Sequence, residues 1–218
     1  MNNITSSLTI IFLFSLWSCD TIEPPYKEPP PPTDTNTVLK TVMIEKFTGH
    51  KCAGCAIASE KIDELKEIYP GKIIPIYIHP DLSPLTNPSS NYPYDFRTDD
   101  GNQIANDLGV PYIPLGTINR LGGNSNTIPE CDRCWLKDSW ASLIDTILYD
   151  NNNTPKLPEI EISINNILNL TKNELTIVTE VQPNKNFEGN YRLSLIIIED
   201  SIISPQDHEI LGYIPDYK

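Results

Sequence analysis

One Cys-x-x-Cys motif, Cys52-Ala53-Gly54-Cys55, constrains the fold more than any other feature, because it lies between an apolar run and a segment of helical periodicity. The run Val42-Met43-Ile44 has the composition of a buried strand. At the start of a helix, unpaired N–H groups and the helix dipole favour the thiolate form of Cys52. The spacing lets Cys55 close the ring and expel a substrate from a mixed disulfide. The pattern indicates thiol–disulfide exchange, and a structural clasp or half of a zinc site are the alternatives.

The N-terminal segment has the features of an export signal. Leu8–Trp17 is almost wholly apolar, but it is too short to span a bilayer, which needs roughly 20 residues. It ends in Leu16-Trp17-Ser18-Cys19, which resembles a bacterial lipobox, where cleavage leaves a lipidated cysteine. We therefore expect a signal peptide at residues 1–18 and a lipid at Cys19. An ordinary cleaved signal with a coincidental cysteine is the alternative.

Residues 19–37 form a proline-rich stretch that offers nothing for a hydrophobic core. Prolines stand at positions 24, 25 and 29 to 32. Such a segment predicts an extended, polyproline-like spacer with a rise of about 3.1 Å per residue. A spacer directly after a lipid anchor would hold a folded domain away from the membrane surface.

Charge and cysteine content limit the classes of function. The formal net charge of −13 repels phosphate backbones, so we expect no nucleic-acid partner. The five cysteines are Cys19 and two Cys-x-x-Cys pairs, Cys52/Cys55 and Cys131/Cys134, and an exported chain reaches compartments where disulfides persist. The sequence has no glycine-rich phosphate loop and no His-Glu-x-x-His motif, so we expect no cofactor and no bound metal.

Residues 38–150 show the periodicity of an α/β domain. The predicted strands are 38–47, 72–79 and 115–121, and the predicted helices are 52–69, 99–108 and 135–149. A strand–helix–strand unit of this length predicts a parallel pair of strands with a right-handed crossover. Pro75 is discordant in the second strand, because proline is confined to edge strands and bulges.

A boundary follows at Asn151–Pro155, beyond which the period of the apolar residues changes to two. We predict antiparallel strands over 159–164, 174–181 and 191–198, in a small β-rich, sandwich-like domain of residues 157–218. Such strands make an open sheet, in which the isoleucines at 196 to 198 need cover. Either this domain packs on the first one or the sequence is incomplete.

The helix after Cys52 and Cys55, together with Ile113-Pro114 before a strand, resembles the thioredoxin fold. In that fold the proline is cis and lies against the active-site cysteines. The resemblance implies that Pro114 shapes a substrate groove and that the backbone at Ile113 pairs with a substrate chain as an added strand. From its position at the helix start, Cys52 is expected to be the exposed thiol and Cys55 the buried one.

More narrowly, three segments resemble a family of thioredoxin-like outer-membrane lipoproteins. They are Glu45–Cys52, Asp95–Thr98 and Ile118–Arg120. Members of this family have a lipobox, a thioredoxin-like domain and a C-terminal β-rich domain. The resemblance implies a cell-envelope location, with the chain anchored to the outer membrane through Cys19 and facing either the periplasm or the surface.

The sequence departs from thioredoxin around the motif. Ala53-Gly54 replaces Gly-Pro, and Lys46 stands where thioredoxin has a buried aspartate that helps to move protons. If Lys46 points at the cysteines, it favours the thiolate. Glu45 or His50 is then the candidate proton relay, and a solvated loop residue is the other interpretation of His50.

The second pair, Cys131-Asp132-Arg133-Cys134, allows three interpretations. It forms a disulfide that clasps a Gly/Asn-rich loop, a relay that exchanges electrons with Cys52/Cys55, or a four-cysteine zinc site together with that pair. The clasp is favoured, because this loop need not lie near the first pair in a thioredoxin-like fold. An oxidising compartment also disfavours zinc thiolates.

Two classes of function fit these features. In the first, the chain is a thiol–disulfide oxidoreductase that acts on protein thiols or disulfides through Cys52 and Cys55. In the second, the thioredoxin-like fold is a scaffold with a permanent disulfide. The β-rich domain and the long loop of residues 80–98 then bind an envelope protein or a glycan. Fold alone does not decide between them.

Overall fold

The computed structural model describes residues 40–123, 127–189 and 191–217. The predicted signal peptide of residues 1–18, the lipid site at Cys19 and the spacer of residues 19–37 lie outside the described residues. Among the residues that are described, no helix is both long enough and apolar enough to cross a membrane.

The first part of the chain folds into a four-stranded mixed sheet flanked by helices. The strands are β1 (Val42–Phe47), β2 (Ile73–Ile78), β3 (Leu115–Ile118) and β4 (Cys134–Trp135), and the helices are α1 (Ala53–Ile68), α2 (Asp99–Leu108) and α3 (Trp140–Leu148). The sheet order is β2-β1-β3-β4, with β1 parallel to β2 and the other pairs antiparallel. The predicted α/β class and the parallel β1–α1–β2 unit are confirmed.

Two details of the sheet explain discordant residues. Strand β2 lies at an edge of the sheet and has a neighbouring strand on one side only. A proline, which has no N–H to donate, is tolerated in such an edge strand, and this explains Pro75. The predicted strand 115–121 ends early, at Ile118, because Asn119 and Arg120 adopt positive φ angles of 49° and 52°. Such angles lie in the left-handed region and do not continue a strand.

Helix α3 begins later than the predicted 135–149. Trp135 pairs with Gly116 across β4 and β3, and a 3₁₀ turn at Lys137–Ser139 precedes the helix. The Trp140 indole packs against Gly116, where an added Cβ would lie 3.0 Å from Trp140 Cε2. The strand pairing of Trp135 therefore overrides its helical periodicity.

The sheet separates two apolar clusters. One face packs against α1 and α3 and buries Val42, Ile44, Ala58, Ile62, Leu65, Ile118, Trp140 and Ile144 among others. The opposite face packs against α2 and the segment before β4, and it buries Phe47, Ile78, Ala105, Leu108, Leu115, Ile128, Cys131 and Cys134. Alternation along β1 produces this division, because successive side chains of a strand point to opposite faces.

The C-terminal part forms two separate two-stranded antiparallel sheets. Their strands are β5 (Ile160–Asn169) with β6 (Glu174–Pro183), and β7 (Ser204–His208) with β8 (Gly212–Tyr217). The predicted strands at 159–164 and 174–181 are confirmed. The strand predicted at 191–198 is wrong: residues 191–200 carry no strand, because an alternating pattern makes a strand only where a partner strand supplies hydrogen bonds.

The two C-terminal hairpins have different surroundings. The β5–β6 hairpin leaves apolar side chains in solvent on both strands, with Ile164 57% and Ile167 69% exposed. The β7–β8 hairpin packs on α1 of the first part of the chain. The predicted sandwich-like domain is thus replaced by two hairpins, of which one is docked beside the Cys-x-x-Cys motif.

Candidate functional site

The Cys52–Cys55 pair is a disulfide at the N-terminus of α1. Cys52 has extended backbone angles and is the residue that precedes the first helical turn, whereas Cys55 lies in that turn. The Cα atoms are 5.2 Å apart. Cys55 is fully buried, as predicted, but Cys52 is only 4% exposed. The prediction of an exposed Cys52 is therefore wrong for this disulfide form of the protein.

Pro114 lies beside the Cys-x-x-Cys motif. The Ile113–Pro114 peptide is cis. A Cβ added to Gly54 would lie 3.9 Å from Cγ and Cδ of Pro114, so the proline ring lies against the middle of the motif. Gly49 lies closer still to its neighbours, because a Cβ there would be 2.9 Å from the Leu85 carbonyl oxygen. The loop into Cys52 is therefore held close to two other segments.

Lys46 is buried on the α1 side of the sheet and lies beside the second cysteine. Its Nζ donates to the Cys55 carbonyl at 2.6 Å and also to Ser59 Oγ, and it lies 5.0 Å from the centre of the Tyr77 ring. The side chain is 1% exposed. Burial lowers the pKa of Lys46 to about 7, with Asp63 opposing the shift, because desolvation disfavours the charged form.

Glu45 points to the opposite face of β1. Its carboxylate accepts from Thr117 Oγ1 at 2.8 Å and from Arg120 at 2.8 Å (Nε) and 2.5 Å (Nη2). Asn119 adds a second link to β1, since its Oδ1 accepts from the Met43 N–H at 2.7 Å. The candidate role of Glu45 as a relay is wrong, because the sheet separates it from α1. The Ile118–Arg120 segment instead ties β3 to β1.

His50 is buried in an aromatic cluster, so its interpretation as a solvated residue is wrong. Its ring stacks on Tyr92 with centroids 5.1 Å apart, and Phe96 lies edge-on at 6.1 Å. Nε2 lies 3.0 Å from the Asn87 carbonyl, and since a carbonyl only accepts, Nε2 carries the proton. Burial lowers the pKa of His50. No described residue bonds to Nδ1.

Strand β7 lies along the loop that leads into the motif. The Asp207 N–H donates to the His50 carbonyl at 2.8 Å. The Gln206 amide Nε2 donates to the carbonyls of Cys52, at 3.1 Å, and Gly49, at 3.3 Å. Gln206 and Cys52 are 154 positions apart in the sequence. Both a backbone group and a buried side chain of β7 thus bind the carbonyls around Cys52.

The hairpin also contacts α1 beyond the motif. His208 Nε2 donates to Glu60 Oε1 at 2.9 Å, and its Nδ1 accepts from the backbone N–H of Ile210 at 3.0 Å. On β8, the Tyr217 hydroxyl donates to the Ala56 carbonyl at 3.2 Å. The first two turns of α1 are therefore contacted by both strands of the hairpin.

A third set of contacts joins the hairpin to the loop before α2. The Tyr92 hydroxyl donates to Asp207 Oδ1, and the Tyr213 hydroxyl donates to the Asn91 carbonyl at 3.3 Å. The rings of Tyr92 and Tyr213 meet edge-to-face with centroids 5.6 Å apart. Burial and the bond to Asp207 raise the pKa of Tyr92, so the hydroxyl remains a donor at neutral pH.

The Asp95–Thr98 segment organises the long loop. Arg97 donates to both carboxylate oxygens of Asp95 at 2.8 Å, to Asp81 at 2.9 Å and to the Asn87 side chain at 2.8 Å. The hydrogen bonds from Arg97 lower the pKa of Asp95 to about 2. Thr98 Oγ1 accepts from the backbone of α2 and caps that helix. The segment therefore has a structural role that is visible in its contacts.

The second pair, Cys131–Cys134, is also a disulfide. Both cysteines are buried in the apolar cluster on the α2 face, and Cys134 is paired with Thr117 across β4 and β3. Cys55 lies on α1, which packs on the other face. The relay and the four-cysteine zinc site both need the two pairs in contact, and this placement contradicts them. Among the described residues, no three His, Cys, Asp or Glu side chains are grouped to hold a metal ion.

Sequence reasoning missed the docked hairpin and with it Gln206, Asp207 and Tyr217. The only local signal is the alternation around Gly212, and Pro205 and Pro215 interrupt it. Proline is unfavourable inside paired strands, so the segment has the pattern of an irregular tail. Its docking partners lie more than a hundred positions away, so a local sequence pattern does not predict the docking.

Comparisons with protein-family models, with curated proteins and with solved structures found no match to this chain.

Proposed function

We propose that residues 38–150 form a thioredoxin-like domain and that the protein is a thiol–disulfide oxidoreductase of the cell envelope. One observation carries the proposal: the Cys52–Cys55 disulfide begins α1 while the Pro114 ring lies against Gly54. The sheet order β2-β1-β3-β4, with its parallel β1–α1–β2 unit, adds support. The substrates are protein thiols or disulfides.

The proposed reaction is a reversible exchange of two electrons. In the reducing direction, the Cys52 thiolate attacks one sulfur of a substrate disulfide, and the other substrate sulfur leaves as a thiolate and takes up a proton. Cys55 then loses its proton and attacks Cys52 in the mixed disulfide. This step forms the Cys52–Cys55 disulfide and releases the second substrate thiolate. The substrate disulfide is reduced, and the protein dithiol is oxidised.

Lys46 is suited to help Cys55 in this exchange. Its ammonium group lies against the Cys55 carbonyl and Ser59, and its pKa of about 7 allows it to gain or lose a proton near neutral pH. A neutral amine can accept the proton of Cys55, and an ammonium stabilises a nearby thiolate. Lys46 acts through the cysteine, so we assign it a positioning and proton-transfer role.

The test is the trapping of a mixed disulfide. Reduced Cys55→Ala protein is mixed with a peptide disulfide, and we expect it to remain linked to half of the peptide through Cys52. The Cys52→Ala variant should form no such adduct, because the buried Cys55 thiol is not the attacking group. Adducts are identified by mass spectrometry after alkylation.

The matched control is the double variant Cys131→Ala/Cys134→Ala. It should exchange with the peptide as fast as the wild type, since this pair lies on the other face of the sheet. Equal trapping by the Cys52→Ala and Cys55→Ala variants, or trapping by neither, contradicts the oxidoreductase function.

The second candidate is a non-catalytic module in which Cys52–Cys55 is permanent. The burial of Cys52 favours it, as do the exposed apolar side chains of the β5–β6 hairpin, such as Ile164 and Ile167. Such a module would bind an envelope protein or a glycan. Absence of trapping together with a normally folded protein would favour this candidate.

We also propose that the chain is an outer-membrane lipoprotein anchored through Cys19. The apolar segment that ends in Leu16-Trp17-Ser18-Cys19 and the proline-rich spacer after it support this proposal. One acyl chain anchors only weakly, so more than one chain is expected. In the Cys19→Ala variant, the protein should leave the membrane fraction, and retention in the membrane pellet would contradict the anchor.

A further inference from the structure

The β7–β8 hairpin binds both the loop before Cys52 and the first turns of α1. Its bonds end at Gly49, His50, Cys52, Ala56 and Glu60. The acceptors at positions 49 to 56 are all backbone carbonyls, which are provided by the fold rather than by particular side chains. The surface around Cys52 is thus an acceptor surface for a polypeptide.

Strand β7 presents an extended segment to the loop before α1. One main-chain bond joins them, from the Asp207 N–H to the His50 carbonyl, and the neighbouring Gln206 carboxamide bonds to the carbonyls of Gly49 and Cys52. Main-chain bonds give affinity in such docking and alternate side chains give specificity. A substrate segment bound at this surface would use the same carbonyls.

The hairpin is held by docking and not by a larger sheet. Strands β7 and β8 pair only with each other among the described strands, and an isolated two-stranded hairpin is marginal in water. The described residues between 184 and 203 contain no helix or strand. The hairpin can therefore leave the disulfide without breaking the four-stranded sheet.

We propose that the β7–β8 hairpin is an intramolecular cover that occupies the polypeptide-binding surface at Cys52, and that an extended substrate strand must displace it. This inference rests on the proposed function and specifies its substrate as an extended polypeptide strand. The Gln206 side chain is the main specificity contact of the cover, since its carboxamide donates to the Cys52 carbonyl. A segment with a carboxamide at this position competes best.

The experiment measures how fast each disulfide is reduced by dithiothreitol in the full chain. Free thiols are alkylated at intervals, and the fragments that carry Cys52/Cys55 and Cys131/Cys134 are quantified by mass spectrometry. In the Gln206→Ala variant we expect reduction of Cys52–Cys55 to be about tenfold faster, because the net contribution of the lost hydrogen bonds holds the cover closed. A double variant, Gln206→Ala/Tyr217→Phe, should be faster still.

Two controls separate opening of the cover from unfolding. Gln182→Ala changes an exposed glutamine of β6 and should leave both rates unchanged. The buried Cys131–Cys134 disulfide is an internal control, and its rate should not change in the hairpin variants. Unchanged reduction of Cys52–Cys55 in both hairpin variants overturns the cover. Equal acceleration of both disulfides also overturns it, because it indicates unfolding.

The outcome is independent of the trapping test. Dithiothreitol reduces an accessible disulfide whether or not the protein is an oxidoreductase. If the hairpin variants are reduced faster but no mixed disulfide is trapped, the hairpin covers a structural disulfide. If a mixed disulfide is trapped but the hairpin variants are reduced at the wild-type rate, the protein is an oxidoreductase whose site is already open to small thiols.

Discussion

The two Cys-x-x-Cys disulfides are alike in sequence and local geometry, and they differ in their surroundings. Their Cα separations are 5.2 and 5.3 Å, and all four cysteines are buried. Cys52–Cys55 begins the longest helix of the described chain and lies beside Lys46. Cys131–Cys134 lies in an apolar cluster before a short strand. The same spacing therefore occurs at a helix N-terminus beside a buried lysine in one pair, and in an apolar cluster with an exposed arginine, Arg133, in the other.

The comparison shows that spacing alone does not define a redox site. A helix N-terminus and a nearby cation lower the pKa of a thiol, and apolar burial raises it. All four cysteines are buried, but only the Cys52 pair lies at a helix N-terminus with a buried cation on the Cys55 carbonyl. The cation beside the Cys131 pair, Arg133, is exposed to water. The predictions below test this difference.

The largest expected difference is in reduction potential. Since stabilised thiolates favour the reduced form, Cys52–Cys55 should be reduced at a potential well above about −300 mV, the upper limit typical of structural disulfides. Cys131–Cys134 should remain oxidised to about −300 mV or lower. Equilibration in a series of dithiothreitol buffers, followed by alkylation and mass spectrometry, measures both pairs in one sample. Equal potentials would remove the distinction between the sites.

The next effect concerns the buried cation beside Cys55. The pKa of Lys46 is about 7 in the fold and 10.5 in its ordinary state, so between these values the unfolded chain keeps a proton that the folded chain has lost. The free energy of unfolding should therefore rise with pH across this window, by up to roughly 1 kcal/mol per pH unit. Below pH 7 both states are protonated, and the contribution is constant.

The measurement is urea unfolding of the wild type and the Lys46→Met variant at pH 6 to 10. Their difference isolates Lys46 from the other titrating groups, and methionine keeps the apolar stem of the side chain. Lys61→Met is the control, because Lys61 also lies on α1 but keeps 16% of its side chain exposed and pairs with the exposed Glu64. A wild-type minus Lys46→Met difference that stays flat above pH 7 would show that Lys46 keeps its charge.

A smaller effect is expected from the buried carboxylate on the other face. Arg120→Ala removes the bidentate partner of the fully buried Glu45 and leaves Thr117 as its side-chain partner among the described residues. Because Arg120 is 40% exposed, water replaces part of the interaction, and we expect a loss of about 2 kcal/mol. Arg133→Ala, an exposed arginine beside Cys134, is the matched control. Urea unfolding at pH 7 measures both, and equal stability of the two variants would contradict the role of Glu45–Arg120.

The smallest effect should come from removing the second disulfide. Its ring is so short that it constrains the unfolded chain little, so Cys131→Ala/Cys134→Ala should cost about 2 kcal/mol or less. Thermal unfolding followed by circular dichroism measures this loss. A collapse of the fold in this variant would show that the disulfide clasps more than its own turn.

The sequence was sufficient for the elements whose pattern is local. Helix α1 matches the predicted 52–69 because its apolar residues recur at helical spacing, and Pro70-Gly71 stops it. Helix α2 matches the predicted 99–108 because Thr98 caps it and Gly109, with a φ of 69°, ends it. The Cys-x-x-Cys motif lies at the start of α1 for the same local reasons.

The predictions failed where a partner strand determines the secondary structure, or where the neighbouring residues determine the role of a side chain. The alternation in 191–198 is that of a strand, yet no strand pairs with it, and the periodicity in 135–149 is helical at Trp135, which pairs with Gly116 instead. The role of Glu45 depends on the face of β1 to which its side chain points, and the role of His50 depends on the aromatic rings packed around it. The residue type alone does not determine which strand or side chain becomes its neighbour in the fold.

The sequence by itself determined the position of Cys52 and Cys55 between a strand and a helix, because helix and strand periods are set by bonds between near neighbours. Only the tertiary structure decided that Cys52 is covered, that Lys46 is buried beside Cys55 and that the second disulfide lies on the opposite face. These features depend on contacts such as Gln206 with Cys52, which join residues 154 positions apart. Such contacts form only when packing of the whole chain offsets the entropy of closing so long a loop.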